Sequence, residues 1–402
     1  MGQAIEGPAP VLSYHWRPNI VFALLLSYFA LFGITFGAQG VIWADLVSEL
    51  SLSKGIFGTA QLSAPLISII ILLQAEPLCN RFGKKVLALV GLVSLGIAIA
   101  WMSWADGLWP LVGSLALSGA GFGLIETSAN SATLDWEDAT GRKVMNFMHA
   151  GFSGGAVLGA LLAAAMLRGG LNYHQVLLAV ALIPFLIFAI TIPIHYAPVE
   201  AAADAAPGPG AALRLLFSSR LIIALAIICL ISTIGESVAN NWLAIYLSDL
   251  GAPVALVGAT FALFNITMLI GRLGNATLVA RFGERLSLIV AGICMFVAGI
   301  ILVATTLIAP IVIAFALLGI AVAGAIPTVL SATARIAPGK SGSVTGAIMS
   351  VAYLSFIICP PLIGWAAEIV SLRAALLIIA IIGIAQLALA RSIPQTLEAP
   401  SH

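Results

Sequence analysis

Long apolar stretches follow one another along the whole chain, and short polar turns separate them. A helix needs about 20 predominantly apolar residues to cross the hydrocarbon core of a bilayer, and these stretches reach that length. Only 8% of the residues are charged, whereas soluble domains carry roughly a quarter. Because so few charges cannot cover a water-soluble surface, the chain is predicted to be an all-α polytopic membrane protein.

Twelve stretches meet this length criterion, and each is expected to form one transmembrane helix. They cover residues 19–43, 55–78, 86–105, 108–134, 144–167, 173–195, 219–247, 254–279, 286–305, 309–332, 343–367 and 372–391. The segment 196–218 is rich in Ala, Pro and Gly, which is typical of a flexible linker. The predicted domains are therefore a six-helix bundle over 1–195, a cytoplasmic linker over 196–218 and a second six-helix bundle over 219–402.

The two halves carry the same short basic turn. Arg81-Phe82-Gly83 recurs 200 residues later as Arg281-Phe282-Gly283, and each copy lies between two apolar stretches. The repeat predicts two pseudo-symmetric bundles. Because six helices return the chain to the side on which it started, both bundles run in the same direction, as parallel repeats do.

The distribution of basic residues predicts the orientation. With both termini in the cytoplasm, 14 of the 17 Lys and Arg residues lie on the cytoplasmic side and 3 lie outside. Cytoplasmic turns of membrane proteins carry this excess. We therefore expect a multi-pass protein of a bacterial cytoplasmic (inner) membrane. The net charge of +1 gives no sign of nucleic-acid binding.

The first basic turn reads Glu76-Pro-Leu-Cys-Asn80-Arg81-Phe-Gly83-Lys84-Lys85. This string resembles the cytoplasmic signature of the major facilitator superfamily, and the resemblance covers essentially the whole chain. In that family an Asp and an Arg of the signature help to latch the cytoplasmic side. Asn80 replaces the Asp here, and Glu76 replaces a Gly.

The resemblance implies a set of gating residues on the cytoplasmic side. They are Glu76, Asn80, Arg81 and Arg281, with Arg142 and Arg272 as further candidates. The alternative for Arg142 is an interfacial ion cluster with neighbouring carboxylates. The alternative for Arg272 is an anchor that extends to the cytoplasmic surface.

A narrower resemblance is to the fucose–proton symporter-like branch and related bacterial sugar transporters. Two strings carry it, Gly121-Phe-Gly123-Leu-Ile-Glu126-Thr-Ser-Ala-Asn130 and Arg142-Lys-Val-Met-Asn146-Phe-Met-His149-Ala, and Glu236 with Trp242 adds to them. This resemblance implies proton-coupled sugar transport by symport.

Glu126 and Glu236 are the predicted proton-coupling residues. Glu126 is the only charge between Leu108 and Leu134, and Glu236 is the only charge between Leu221 and Leu247. Glu126 lies nine residues from Asp135, which the helical rise converts to about 13 Å. A carboxylate facing lipid would cost several kcal/mol, so each must face a wet cavity, meet a partner or carry a proton. The alternative is a structural carboxyl bonded to a neighbouring helix.

Polar residues near these carboxyls are the predicted substrate-binding set, because amides can donate to and accept from a hydroxylated solute. Asn130 and Asn240 each follow a glutamate by four residues and so share its helix face. The remaining members are Gln39, Asn241, His149, Asn265 and Tyr353. The alternative for Gln39 and the amides near the glutamates is hydrogen bonding between helices. For His149 it is a bond to a neighbouring backbone group or carboxyl, and for Asn265 and Tyr353 it is packing. The glycines Gly151, Gly155 and Gly159 are expected to form a packing seam between the two halves.

The residues together favour a secondary active transporter of a small polar solute. Protons, the solute and the lipid bilayer are the expected partners, and a monomer without cofactor or metal is expected. One alternative is proton-driven efflux of a drug or metabolite, and another is a non-transporting receptor in a transporter fold. Five scattered histidines argue against an intramembrane enzyme, and the lack of a P-loop argues against ATP-driven transport.

Overall fold

The computed structural model of the chain describes residues 17–196, 214, 217, 219–336 and 341–394. Within these residues every regular element is an α-helix. Both ends of the chain and most of the predicted linker 196–218 lie outside the described residues. The predicted domain boundaries therefore stay predictions.

The described residues of the first half form eight helices. They are α1 (Pro18–Glu49), α2 (Lys54–Ala60), α3 (Ser63–Leu72), α4 (Ala75–Phe82), α5 (Lys84–Ser103), α6 (Leu108–Thr140), α7 (Met145–Arg168) and α8 (Tyr173–Thr191). Those of the second half form seven. They are α9 (Arg220–Asp249), α10 (Val254–Ala304), α11 (Ile308–Ala323), α12 (Ala325–Ile336), α13 (Ser341–Ile369), α14 (Leu372–Ala375) and α15 (Leu377–Ser392).

Twelve spans within the described residues are long and apolar enough to cross a membrane, six in each half. The helices α2 and α3 together make one span, and so do α14 and α15. In contrast, α10 contains two spans, Val254–Asn275 and Thr277–Ala304, and its backbone is kinked at Gly283. This arrangement confirms the predicted fold class of twelve helices in two pseudo-symmetric bundles.

The two basic turns have the same backbone conformation. Gly83 has φ +80°, and Gly283 has φ +81°. Residues other than glycine rarely adopt a positive φ of this size because their Cβ clashes with the backbone. Each glycine lets the chain turn between the second and third spans of its half, so the sequence repeat is also a structural repeat.

Consecutive spans alternate in direction, so their turns divide between two ends of the molecule. We call the end at which α1 passes to α2 the Lys54 end, and the end that carries the Gly83 and Gly283 turns the Arg81 end. At the Lys54 end, α2 and α13 bring the two bundles into contact. A Cβ on Gly58 would lie 2.3 Å from the carbonyl oxygen of Pro360. The bundles therefore touch backbone to backbone at this end.

The glycine seam of α7 lies inside the first bundle, so its predicted position between the halves is wrong. A Cβ on Gly155 would lie 2.2 Å from the carbonyl oxygen of Ala30, and one on Gly159 would lie 2.2 Å from that of Ile34. Both partners belong to α1. Small residues every four positions allow a close helix approach, but they do not specify which helix approaches.

A buried polar network ties α10 to α11 and α12 inside the second bundle. Asn275 donates to the hydroxyl of Thr328 over 2.8 Å and to the carbonyl oxygen of Gly324 over 3.3 Å. The hydroxyl of Ser287 donates to the side-chain oxygen of Asn275. Since Asn275 uses both its donor and its acceptor groups on buried partners, it fixes three segments of this bundle.

Candidate transport site

Glu126 lies near the middle of α6, which begins at Leu108 and ends at Thr140. The helix continues beyond Asp135, where sequence analysis expected the membrane segment to have ended. Glu126 is therefore 14 residues from the helix end, which corresponds to roughly 21 Å. The carboxyl therefore lies further from the helix end than predicted, and the residue is partly exposed.

The carboxyl of Glu126 is bonded to the other bundle. The hydroxyl of Tyr353 on α13 donates to Oε1 of Glu126 over 3.4 Å. Tyr353 also interacts electrostatically with Glu236. Tyr353, which the sequence offered only as a minor candidate, thus interacts with both predicted proton-coupling glutamates.

Glu236 lies near the middle of α9, 16 residues after Arg220 and 13 before Asp249. Its charged neighbour is Arg272 on α10, with which it interacts electrostatically. Both residues are partly exposed. The pair places one negative and one positive charge of the second bundle beside the Glu126–Tyr353 hydrogen bond.

Arg272 also reaches the first bundle. Its Nη1 donates to the hydroxyl of Ser153 on α7 over 3.4 Å, and its charge acts on His149, one turn earlier on the same helix. The alternative that Arg272 extends to the cytoplasmic surface does not describe this geometry. A guanidinium between a carboxylate and a hydroxyl is better solvated than one beside hydrocarbon.

His149 completes this group of polar side chains. It is exposed, and its ring lies 5.3 Å from that of Phe29 in an edge-on arrangement. The structure thus brings together five of the predicted residues, and Ser153 joins them. We call this group the central cluster: Glu126, His149, Ser153, Glu236, Arg272 and Tyr353.

A wall of phenylalanines adjoins the cluster on the first bundle. The ring of Phe122 lies 5.2 Å from that of Phe36, and the ring of Phe152 lies 5.8 Å from that of Phe36. All three residues are partly exposed. They were not among the predicted residues, because the sequence of an apolar stretch does not distinguish a phenylalanine that faces lipid from one that lines a cavity. Phe122 precedes Glu126 by four residues, and that shared helix face was the available signal.

The predicted amides divide into two groups. Asn130 and Asn240 are partly exposed and lie one turn from Glu126 and Glu236 respectively. The others make packing contacts. Asn241 donates to the carbonyl oxygen of Ser237, Asn265 donates to that of Phe261, and the buried Gln39 lies 3.9 Å from the sulfur of Met102. Substrate binding by all five stays a prediction.

Two of the predicted gating residues at the Arg81 end contact their own bundle. The guanidinium of Arg81 lies over the ring of Phe82 at 5.1 Å, and that of Arg142 lies over the ring of Trp136 at 5.7 Å. The remaining three are Asn80 and Arg281, which are exposed, and Glu76, whose side chain lies outside the described part of the chain. Their gating role stays a prediction. An ion pair between Lys84 and Asp135 ties α5 to α6.

The chain matches the family model described as the Major Facilitator Superfamily over residues 22–308 and 225–400. An uncharacterized transporter of this type from Yersinia pestis is 22% identical over 356 residues, which cover 87% of this chain and 91% of the relative.

Solved structures show the same fold. A mutant of the nucleoside transporter NupG superposes with a TM-score of 0.80 at 11% identity, covering 93% of this chain and 99% of that one. A bacterial homolog of the human lysosomal transporter Spinster, in an inward-facing and unoccupied conformation, gives 0.73 at 15% identity, covering 94% and 97%. The chain belongs to the major facilitator superfamily and is a transporter of that family.

Proposed function

We propose that this protein is a proton-coupled secondary transporter that moves a small polar solute across a bacterial inner membrane by alternating access. A sugar is the leading substrate class. The observation that carries the proposal is the Glu126–Tyr353 hydrogen bond, which joins the bundles at mid-depth beside Glu236 and Arg272. Monomeric function is part of the proposal.

Proton coupling is supported by the position of Glu126. A bond between bundles must break when they rock apart, and the carboxyl then faces a different environment. An unpaired carboxylate is costly at membrane depth, and binding a proton removes the charge. Glu126 can therefore change its proton as access changes. The Tyr353 hydroxyl stabilises one of the two states.

A polar solute is supported by the donors and acceptors around the cluster. The amides of Asn130 and Asn240 and the two carboxyls suit the hydroxyl groups of a sugar. The rings of Phe36, Phe122 and Phe152 offer a surface for the apolar face of a ring. A nucleoside has the same combination of ring and hydroxyls, and the structurally similar NupG is a nucleoside transporter.

The phenylalanine wall also favours a second candidate, the export of an amphipathic drug or metabolite. Such solutes bind largely through aromatic and apolar contacts. The two candidates differ in their dependence on the wall. Replacing Phe122 by Ala should abolish transport of an amphipathic solute but weaken that of a sugar only partly.

We further propose that the Lys54 end faces outward and that both termini are cytoplasmic. At the Lys54 end the described residues include three basic side chains, Lys54, Arg168 and Arg373, whereas the Arg81 end carries the basic turns and their neighbours. Cytoplasmic ends of membrane proteins are enriched in Lys and Arg.

The proposal can be tested with purified protein in proteoliposomes that contain a pH-sensitive dye. A panel of sugars, nucleosides and drugs is added, and proton movement is recorded together with solute flux. We expect proton movement only after one class of solute is added and only in vesicles that contain the protein. Solute flux without proton movement would contradict the coupling. Binding without flux would instead support the receptor alternative.

A further inference from the structure

Glu368 bonds the start of α2 at the Lys54 end. Its Oε1 accepts a hydrogen bond from the backbone N–H of Gly55 over 2.8 Å, and its carboxylate also accepts one from the hydroxyl of Ser53. Glu368 belongs to the second bundle, and α2 belongs to the first. One exposed carboxylate therefore holds two donors across the boundary between the bundles.

An ion pair lies beside this contact. Nζ of Lys54 on α2 lies 3.0 Å from Oδ2 of Asp249, the last residue of α9. The Lys54 charge also attracts Glu368. Thus Lys54 in the first bundle lies between two carboxylates of the second. The side chains of Lys54 and Asp249 are 31% and 45% exposed, so water can replace either partner.

A third contact and a close backbone approach complete the arrangement. Nε1 of Trp365 donates to the hydroxyl of Thr59 over 3.0 Å. A Cβ on Gly364 would lie 2.4 Å from the carbonyl oxygen of Lys54. The helices α2 and α13 therefore leave no room for a solute between them.

Aromatic rings close the space beneath these contacts. The ring of Phe57 lies 5.4 Å from that of Trp43 and 5.8 Å from that of Trp242, and all three residues are buried. Trp242 lies six residues after Glu236 on α9. The rings thus separate the central cluster from the polar contacts at the Lys54 end.

We propose that Lys54, Asp249, Trp365 and Glu368 form a polar latch that closes the Lys54 end, and that its release opens the transport site to that side. Each contact has one partner in each bundle, so every contact must break when the bundles part there. The contacts are partly hydrated, and the net free energy of such contacts is small because water replaces the lost partner. They therefore suit a gate that opens in every cycle. The proposal rests on the alternating-access part of the proposed function.

The opposite end of the molecule departs from the family signature. Asn80 and Ala280 stand where the family signature at the opposite end has an Asp. The charged contacts between bundles described above lie instead at the Lys54 end and in the central cluster. Among the described residues, the Lys54–Asp249 ion pair is thus a charged contact between the bundles at the Lys54 end.

Accessibility of a single cysteine tests the latch without any solute. The four native cysteines are replaced by Ser, and Asn240→Cys places the reporter between Glu236 and Trp242. A membrane-impermeant maleimide is applied to each face in right-side-out and inside-out vesicles. With the latch intact, we expect labelling from the Arg81 end only. In Glu368→Ala or Lys54→Ala, labelling from the Lys54 end should rise about two- to fivefold, as expected for losing one exposed charged contact.

Two controls keep the test specific. Asp106 is an exposed carboxylate between α5 and α6 at the same end, so Asp106→Ala should leave labelling unchanged. The double variant Lys54→Asp/Asp249→Lys restores an ion pair of reversed direction and should reduce the labelling of the single variants. Elution as a folded, monodisperse peak is required of each variant, and Glu368→Gln serves where Glu368→Ala does not fold.

Three outcomes would overturn the proposal. They are labelling from the Lys54 end in the intact protein, unchanged labelling in both latch variants, and an equal rise in Asp106→Ala. Because the assay uses neither solute nor proton gradient, its failure is distinguishable from failure of the proposed substrate class or coupling.

Discussion

Tyr353 on α13 donates a hydrogen bond to Glu126 on α6 over 3.4 Å, and this bond links the two bundles at mid-depth. The link is a single hydroxyl, so its removal isolates one interaction. In Tyr353→Phe we expect solute-driven proton uptake to fall about tenfold, the effect of losing a hydrogen bond to a charged group. Proton uptake in proteoliposomes measures this change.

Tyr246 provides the matched control for Tyr353. Its hydroxyl donates to the carbonyl oxygen of Leu302 over 2.6 Å, within the second bundle. Tyr246→Phe should therefore reduce thermal stability and leave the proton-to-solute ratio unchanged. Equal loss of coupling in both variants would show that the Tyr353 bond has no special role.

Neutralising Glu126 should uncouple solute transport from the proton gradient. Glu126→Gln removes the group proposed to exchange its proton, so accumulation driven by a pH gradient should be lost. Exchange of labelled for unlabelled solute needs no net proton movement and should continue. Measuring both fluxes in one preparation distinguishes a coupling residue from a structural one. If Glu126→Gln accumulates solute normally, the coupling role is wrong.

Arg272 and Glu236 should behave as a charge pair. Arg272→Ala leaves Glu236 without its cation, so we expect a destabilisation of about 2 kcal/mol, measured by thermal unfolding in detergent. Adding Glu236→Gln should recover part of that loss, because no unpaired charge remains. Additive losses in the double variant would mean that the two side chains act independently.

The buried network around Asn275 gives a test of stability that does not involve transport. Asn275→Ala removes the partner of Thr328 and Ser287, so we expect a loss of about 1–2 kcal/mol in the free energy of unfolding. Gly274→Ala is the control, since a Cβ there meets no other atom within 4 Å. Equal destabilisation by both changes would contradict a role for the network.

Much of the fold follows from the sequence because length and hydropathy decide which segments can cross a bilayer. All twelve spans were predicted, and the repeated Arg-Phe-Gly turn predicted the relation of the halves. Helix ends were less predictable: α6 continues past Asp135 to Thr140 because charged residues can extend a helix into the interface. Hydropathy marks the membrane boundary and not the last hydrogen-bonded turn.

The composition of the central cluster was only partly predictable. Glu126 and Glu236 stand out because isolated carboxyls in apolar helices need a partner. The identity of that partner depends on how the bundles approach each other. Ser153 therefore gave no signal in the sequence, and the phenylalanine wall gave only the helix face that Phe122 shares with Glu126. For the same reason the glycine seam was assigned to the wrong helix pair.

Because Gly83 and Gly283 have matching φ values, the stabilities of the two bundles can be compared by the same substitution in each. A Cβ on Gly83 would meet no other atom within 4 Å. At both glycines φ is near +80°, a conformation that residues with a Cβ rarely adopt. The same alanine substitution therefore imposes the same backbone cost on each half. A difference in expression level or melting temperature between the two variants would then show which half tolerates the larger loss of stability.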